Sequence, residues 1–389
     1  MQHNIRRTKL LESLSSKKNV EKSTGSRRPD KKIATLLFRP ENIFYLTNFW
    51  GEGIAILSEG GGGGGSPIKL AVPKLEYTRA INTSRECDVI SSERGSTLIN
   101  TAISIVKDND FVFSDSNDFD AISKIQRKTG NENMAIDSNL LYGLREIKDP
   151  EEIENIKNAS KIIDKLFETA TKEIKENTTE EQVQAILVYE AMKLGARFPP
   201  YQYTTNPLII ASGPNGSFPH SETSNKKIRS GELIVIDLTL SFNHYVSDAT
   251  RTFGIGKMTW EMKKVYETVK ASQEKGIEYI NNTSEFGDID ACCRNAITDA
   301  NLGEYFTHST GHGIGLEVHE PPWIRPNSKI KIRENMAITI EPGVYIENKL
   351  GVRIEDSLLI TKKKGKANDS NDGYAFENFH HFSKDLIIL

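Results

Sequence analysis

The chain has 389 residues, 37% of them apolar and 26% charged, and carries a net charge of −3. That length suits two domains and that composition an ordinary globular protein. The near-neutral balance excludes a global pull toward nucleic acid or an acidic membrane surface. No apolar stretch approaches the roughly 18 residues of a membrane span. The basic start lacks the apolar core of a secretory signal. The three cysteines, Cys87 and the adjacent Cys292 and Cys293, form neither a disulfide framework nor a metal-ligand spacing. A reducing, cytoplasmic setting follows.

Residues 1–32 are basic and Ser-rich, and Leu10, Leu11 and Leu14 predict a short helix followed by a solvated loop. From Ile33 short apolar runs read as strands: IATLLF, IFYL, GIAILS and IKLAVP. Gly60–Gly65 lie between the last two and lack the following Lys-Ser/Thr helix of a phosphate loop, so they predict a hairpin tip. Amphipathic stretches near 96–107 and 118–128, then NMAID, complete a small α/β domain over 33–145.

Residues 146–195 read as helices. Asp149-Pro150-Glu151-Glu152 is a helix start, with the cap, the first-turn proline and the acids in order. Ile153, Ile156, Ala159, Ile162, Ile163 and Leu166 form its apolar stripe. Thr179 opens a second helix that runs to Gly195, and further helices are expected near 260–275 and 287–300. Apolar strands interleave with them, so 146–389 predicts an α+β domain whose helices cover one face of a largely antiparallel sheet.

Those strands carry charges that need a reason. Asp237 ends IVID, and Asp248 follows across a turn expected at Ser241–His244. Two same-face aspartates of one hairpin would repel unless a cation lay between them. Glu341 sits where Pro342-Gly343 ends a strand, and Glu355 is expected at the centre of the next strand, with Gly351 in the turn. Salt bridges are the competing reading for any single acid, and Arg251 is the partner in reach of Asp248. Arg251 and Arg353 cannot serve all four. His312 stands among Gly311, Gly313 and Gly315, which permit close backbone approach. Four carboxylates and an imidazole suit Mn²⁺, Co²⁺, Fe²⁺ or Zn²⁺, and two divalent ions balance the four negative charges.

The segments SGPNGSFPHSE, IVIDLTL, SDATRTF, HSTGHGIGLEVHEPP, TIEPGVY and GVRIEDS resemble those of the pita-bread metallopeptidases, a family that includes methionine aminopeptidase, aminopeptidase P, prolidase and creatinase. NIFYLTNFWGEG is similar to part of the creatinase-like N-terminal domain, which points to the prolidase and aminopeptidase P branch. The resemblance implies that Asp237 chelates one metal, that Asp248 and Glu355 bridge both, and that His312 and Glu341 complete the ligands of the second metal. It implies a hydroxide bridging the two metals, with Glu341 also the proton shuttle and His220 and His319 at the scissile carbonyl and its oxyanion. Arg353 would support Asp237 or the substrate carboxylate, and Tyr or Phe residues near 198–203 would shape a proline pocket. A homodimer acting on proline-containing peptides is implied as well.

The short chain and the tight Glu341–Glu355 connection favour a dipeptidase over an aminopeptidase acting on longer Xaa-Pro peptides. A non-catalytic binding relative and a metal-free creatinase-like hydrolase are the remaining readings, and the intact ligand set argues against both. Two departures stand out. Trp323 occupies a stretch where many prolidases carry an Arg for the dipeptide carboxylate, with Arg325 close by. The basic start and the Gly60–Gly65 run suggest an altered dimer edge or active-site rim.

Overall fold

In a computed structural model, residues 2–20, 32–58, 68–130, 133–199, 206–363 and 373–389 are described. Gly60–Gly65, Tyr201, Tyr203 and the loop expected at 21–31 lie outside them. Contacts divide the chain into two units, 1–144 and 145–389.

The first unit contains α1 (Gln2–Val20), β1 (Ile33–Leu37), α2 (Pro40–Thr47), β2 (Ile54–Ser58), β3 (Ile68–Pro73), α3 (Lys74–Thr83), β4 (Asp88–Ser92), α4 (Ser96–Val106), β5 (Phe111–Ser114), α5 (Phe119–Thr129) and β6 (Met134–Ile136). Its sheet has the order β4-β3-β2-β1-β5-β6. The β1–β2 and β2–β3 pairs are antiparallel and the outer pairs parallel. Leu36, Ile54, Ile56 and Val112 of the strands pack against Leu98, Ala102, Val106 and Ile125 of α4 and α5.

One expectation fails in this unit. IFYL is helical and lies within α2. Four apolar residues fit either period, and the deciding signals lie outside them: Pro40 at the first turn, Glu41 after it, and Asn48 closing the helix at φ 62°. In α1, Arg6 and Arg7 are buried. The Arg6 guanidinium stacks on the Tyr45 ring at 4.3 Å and donates to the Tyr45 carbonyl at 2.8 Å.

The second unit follows α6 (Tyr142–Arg145) and opens with α7 (Pro150–Glu173) and α8 (Glu180–Lys193), each started by a capping box, Asp149/Glu152 and Thr179/Gln182. Then come β7 (Ile209–Ser212), β8 (Leu233–Phe242), β9 (Tyr245–Gly254), α9 (Trp260–Tyr279), α10 (Phe286–Asp299), β10 (Gly311–Gly313), β11 (Glu320–Ile324), β12 (Ala337–Ile340), β13 (Gly343–Ile346), β14 (Leu350–Arg353), β15 (Asp356–Lys362) and β16 (Tyr374–Asn378). The sheets β7-β8-β9, β11-β10-β12-β15-β16 and β13-β14 are antiparallel at every pairing described.

Strand alternation sorts their faces. Ile234, Ile236, Leu238, Ala249 and Phe253 join Ile163, Leu166 and Leu187 of α7 and α8 in one core. Ile338, Ile340, Leu358 and Ile360 join Ile277, Ile289 and Cys293 of α9 and α10 in another. Each sheet thus buries one face under a helix pair. The sheets meet where β9 runs beside the β14–β15 segment: the Glu355 amide donates to the Thr250 carbonyl at 3.1 Å, and Ser357 Oγ donates to the Asp248 carbonyl at 2.7 Å.

The acids sit at this junction, with corrections to the expected geometry. The β8–β9 turn is Asn243-His244, both at positive φ, with Ser241 and Phe242 still in the strand. Asp237 pairs with Thr250 and Asp248 with Thr239, so the two acids are diagonal neighbours on one face. Glu355 lies between β14 and β15, not mid-strand. Glu341 lies between β12 and β13, where the ladder lapses between the pairs Ile340–Asp356 and Gly343–Arg353. Gly351 is inside β14 opposite Tyr345, and the turn is at 347–349. Any side chain on Gly351 would collide with the Gly216 carbonyl of the 3₁₀ turn Gly213–Ser217.

Candidate active site

A cavity of about 280 Å³ opens at the junction, lined by Asp237, Thr239, Asp248, His308, His312, His319, Glu341 and Arg353, with His220 at its edge. Asp248, His312 and Glu355 each offer a ligand atom, and these atoms lie within 4.8 Å of one another. All three are buried. The structure therefore brings Asp237, Asp248, His312, Glu341, His220, His319 and Arg353 to one cavity, and Glu355 to the same cluster.

Three of the four acids are each held through one oxygen. Asp248 Oδ1 accepts from Thr239 at 2.8 Å, and Glu355 Oε2 accepts from Thr250 at 2.8 Å. Asp237 Oδ2 accepts from Arg353 Nη2 at 2.6 Å. Asp237 Oδ1 and Glu355 Oε1 are buried with no hydrogen-bond partner among the described residues. Such an oxygen carries an uncompensated desolvation cost unless a cation meets it. Arg251 does not help Asp248. One residue separates Asp248 from Thr250 on its own face, whereas Arg251 lies on the opposite face, beside the Phe167 ring and paired with Asp356 at 2.7 Å.

Burial and crowding push Asp248, Glu355 and Glu341 toward protonation in the absence of cations. Asp248 is raised well above the usual carboxylate range by burial, then by Asp237 and Glu341. Glu355 is raised in the same way, by burial and then by Asp248, Glu341 and Asp237. Burial lifts Glu341 to about 8, although Arg353 opposes the shift. Only a compensating positive charge lets the cluster ionise fully. Two or more hard oxygens beside one imidazole fit divalent cations.

His312 is prepared as a ligand. Its Nδ1 donates to the Gly313 carbonyl at 3.1 Å, which leaves the Nε2 lone pair facing Glu341, 3.5 Å from Oε1. Burial and the neighbouring His319 ring, 4.4 Å away, lower His312 to about 3 and keep it neutral. A bulge between His312 and Gly313 in the β10–β11 pairing re-aims the strand here.

Sequence reasoning missed four residues. Arg353 Nη1 donates to Tyr345 Oη at 2.7 Å, and Tyr345 Oη meets His308 Nε2 at 3.0 Å. His308 Nδ1 donates to the Ser309 carbonyl at 2.7 Å, so its Nε2 accepts from Tyr345. The other two are Thr239 and Thr250. Their signal was present in the sequence, since each stands two residues from an aspartate and so shares its strand face. Arg353 also reaches the Pro219 carbonyl at 3.1 Å, next to His220, and Thr250 Oγ1 at 3.0 Å. Some expected rim residues are elsewhere. Phe198 packs on the helix–sheet core, and neither Trp323 nor Arg325 is among the cavity-lining residues described.

Residues 154–362 match the family described as metallopeptidase family M24, and residues 31–166 match the creatinase/prolidase N-terminal domain. The chain belongs to metallopeptidase family M24. This M24 chain is 34% identical to the Xaa-Pro dipeptidase of Pyrococcus furiosus over 331 residues, 84% of this chain and 90% of that protein. The prolidase of Pyrococcus horikoshii OT3 superposes with a TM-score of 0.83 at 30% identity, covering 98% of this chain and 99% of that one. An X-Pro aminopeptidase of Thermotoga maritima superposes with a TM-score of 0.77 at 27% identity, covering 92% of this chain and 97% of that one. The M24 membership makes the chain a metallopeptidase with divalent metal cofactors, and the creatinase-type plus pita-bread architecture follows from the two matches.

Proposed function

We propose that this chain hydrolyses the bond before proline in Xaa-Pro dipeptides, with two divalent ions held by Asp237, Asp248, His312, Glu341 and Glu355. The observation that carries the metal reading is the pair of buried, partnerless oxygens on Asp237 and Glu355 beside a neutral His312. The substrate reading is supported by the near full-length likeness to an Xaa-Pro dipeptidase. When bound, the ions supply Lewis-acid polarisation of the scissile carbonyl and hydroxide near neutral pH.

The chain's own groups do the rest. Pro207, Leu208, Ile209 and Pro219 give the cavity an apolar wall suited to a proline ring. His220 and His319 are both lowered by burial first, with Arg353 acting further on His220 and His220 on His319. Neutral imidazoles there donate N–H groups to the carbonyl oxygen as charge develops on it. Glu341, in the cavity wall, carries the proton from the attacking water to the departing proline nitrogen. Arg353 fixes Asp237 and, through the Pro219 carbonyl, the start of the His220 loop.

Mn²⁺, Co²⁺, Fe²⁺ and Zn²⁺ all suit this donor set, and availability selects among them. The protein acts as a homodimer in a reducing cytoplasm, in keeping with Cys87, Cys292 and Cys293 as free thiols. Sedimentation at micromolar concentration tests the dimer. The deciding experiment strips the protein with chelator, restores Mn²⁺ or Co²⁺, and compares Met-Pro and Ala-Pro with Ala-Pro-Yaa tripeptides. Dipeptide cleavage that saturates at two ions per chain is expected. Cleavage of the tripeptides alone would transfer the assignment to an Xaa-Pro aminopeptidase, and inertness toward both with metal bound would end it.

A further inference from the structure

The M24 match stops at Lys362, yet the chain returns beyond it to the back of the site. His380 is 4% exposed there. Its Nδ1 lies 3.2 Å from Asp164 Oδ1 of α7, and the second Asp164 oxygen accepts from the His381 amide at 2.7 Å. Asp164 sits below the usual carboxylate range because these donors outweigh its burial. It is therefore ionised and can only accept, which places a hydrogen on His380 Nδ1 and turns Nε2 toward Ser247 Oγ, 3.3 Å away.

Ser247 precedes Asp248 and points to the opposite face of β9. Its hydroxyl also meets Ser160 Oγ of α7 at 2.7 Å and Ser357 Oγ at 3.5 Å. Ser357 in turn holds both backbone groups of Asp248, accepting from its amide at 3.2 Å and donating to its carbonyl at 2.7 Å. The order Asp164–His380–Ser247 has the look of a nucleophilic triad, but Ser247 is fully buried and is not among the residues lining the active-site cavity. What the chain of contacts reaches is the backbone of Asp248.

We propose that Asp164 and His380 are positioning residues for Asp248, bracing β9 from its helix-covered side so that the carboxylate stays aimed at the metals. The inference rests on the ligand assignment proposed above. The arrangement parallels the outer contacts that orient metal ligands elsewhere, whose loss typically lowers metal affinity about 10–100-fold.

The test is calorimetric Mn²⁺ binding to the metal-stripped full-length chain, with amide hydrogen exchange of β9 measured in the same metal-free samples. His380→Ala should bind Mn²⁺ about 10–100-fold more weakly and exchange faster around Asp248, with its dipeptidase rate recovering at excess Mn²⁺ and KM unchanged. His380→Gln, which can still reach Ser247, should lie between. Lys157→Ala is the control: it removes a partly exposed 2.8 Å ion pair from α7 to Glu377 of the same C-terminal segment, and should bind as the parent does. If His380→Ala fails to fold, Asp164→Asn decides, since it keeps the shape and removes the charge. Parental Mn²⁺ affinity in the folded variant, or equal losses in Lys157→Ala, overturns the proposal. Asp248→Ala with parental affinity would instead overturn the ligand assignment itself.

Discussion

Glu355 and Asp356 are neighbours in the chain, are both buried, and have opposite fates. Asp356 accepts from Arg251 at 2.7 Å, Gln273 at 3.0 Å and Asn378 at 2.9 Å, with Lys384 at 3.2 Å. Although its burial opposes the shift, Arg251 and Lys384 hold it well below the usual carboxylate range. Glu355 has Thr250 on one oxygen, no hydrogen-bond partner among the described residues on the other, and three acids for company. One carboxylate is neutralised by the protein, and its neighbour is left for something the protein must recruit. Burial alone separates no functional acid from a structural one. The inventory of partners does.

The sharpest way to break this contrast is to remove each acid in turn. Asp248→Ala or Glu355→Ala should lower kcat/KM by about 10³-fold or more in metal-supplemented assays. The metal-stripped variants should be no less stable than the metal-stripped parent, because a crowded like charge has gone. Parental activity in either variant would end the two-metal reading. Asp356→Ala should do the reverse of this pattern on stability. It strands Arg251 in the core and should cost about 3–5 kcal/mol in urea unfolding. Arg353→Met removes the guanidinium that pairs with Asp237 and should reduce metal affinity and turnover by about 10–100-fold, with urea unfolding less affected than in Asp356→Ala.

The smallest effect concerns Glu320, a second fully compensated acid. Arg145 and Lys148 hold it, Lys148 at 2.9 Å, and their charges lower its pKa against the effect of its burial. With the folded value below the unfolded one of 4.5, its contribution is fully present above pH 4.5 and fades as pH falls toward the folded value. Glu320→Gln should therefore be less stable at neutral pH, with the difference from the parent narrowing in acid. A constant difference from pH 7 to pH 3 in thermal unfolding would refute the linkage.

Much of this was legible in the sequence because an acid in an apolar strand is conspicuous. Asp237, Asp248, Glu341 and Glu355 stood out for that reason, and the capping boxes of α7 and α8 could be read from Asp149-Pro150 and Thr179. Partners were not legible. Asp356 is as buried as Glu355 and adjacent to it, and only the fold shows that Arg251, over a hundred positions away, reaches the carboxylate of Asp356 but only the backbone carbonyl of Glu355. His308 acquires a role only because the fold brings Tyr345 beside it and Arg353 beside Tyr345. IFYL misled because four apolar residues contain too few turns to show a period, while Pro40 ahead of them already marked a helix start.

Gly351 has a consequence for how His220 is placed. With no side chain between them, β14 and the 3₁₀ turn at Gly213–Ser217 touch main chain to main chain, and Arg353, two positions further on, grips the carbonyl just before His220. The histidine loop and the Glu341–Glu355 hairpin are thus gauged against each other by the thickness of a peptide plane. Rotamers wander, whereas peptide planes are stiff and uniform, so the fold has a fixed ruler built into the place where the imidazole must keep its distance from the acids.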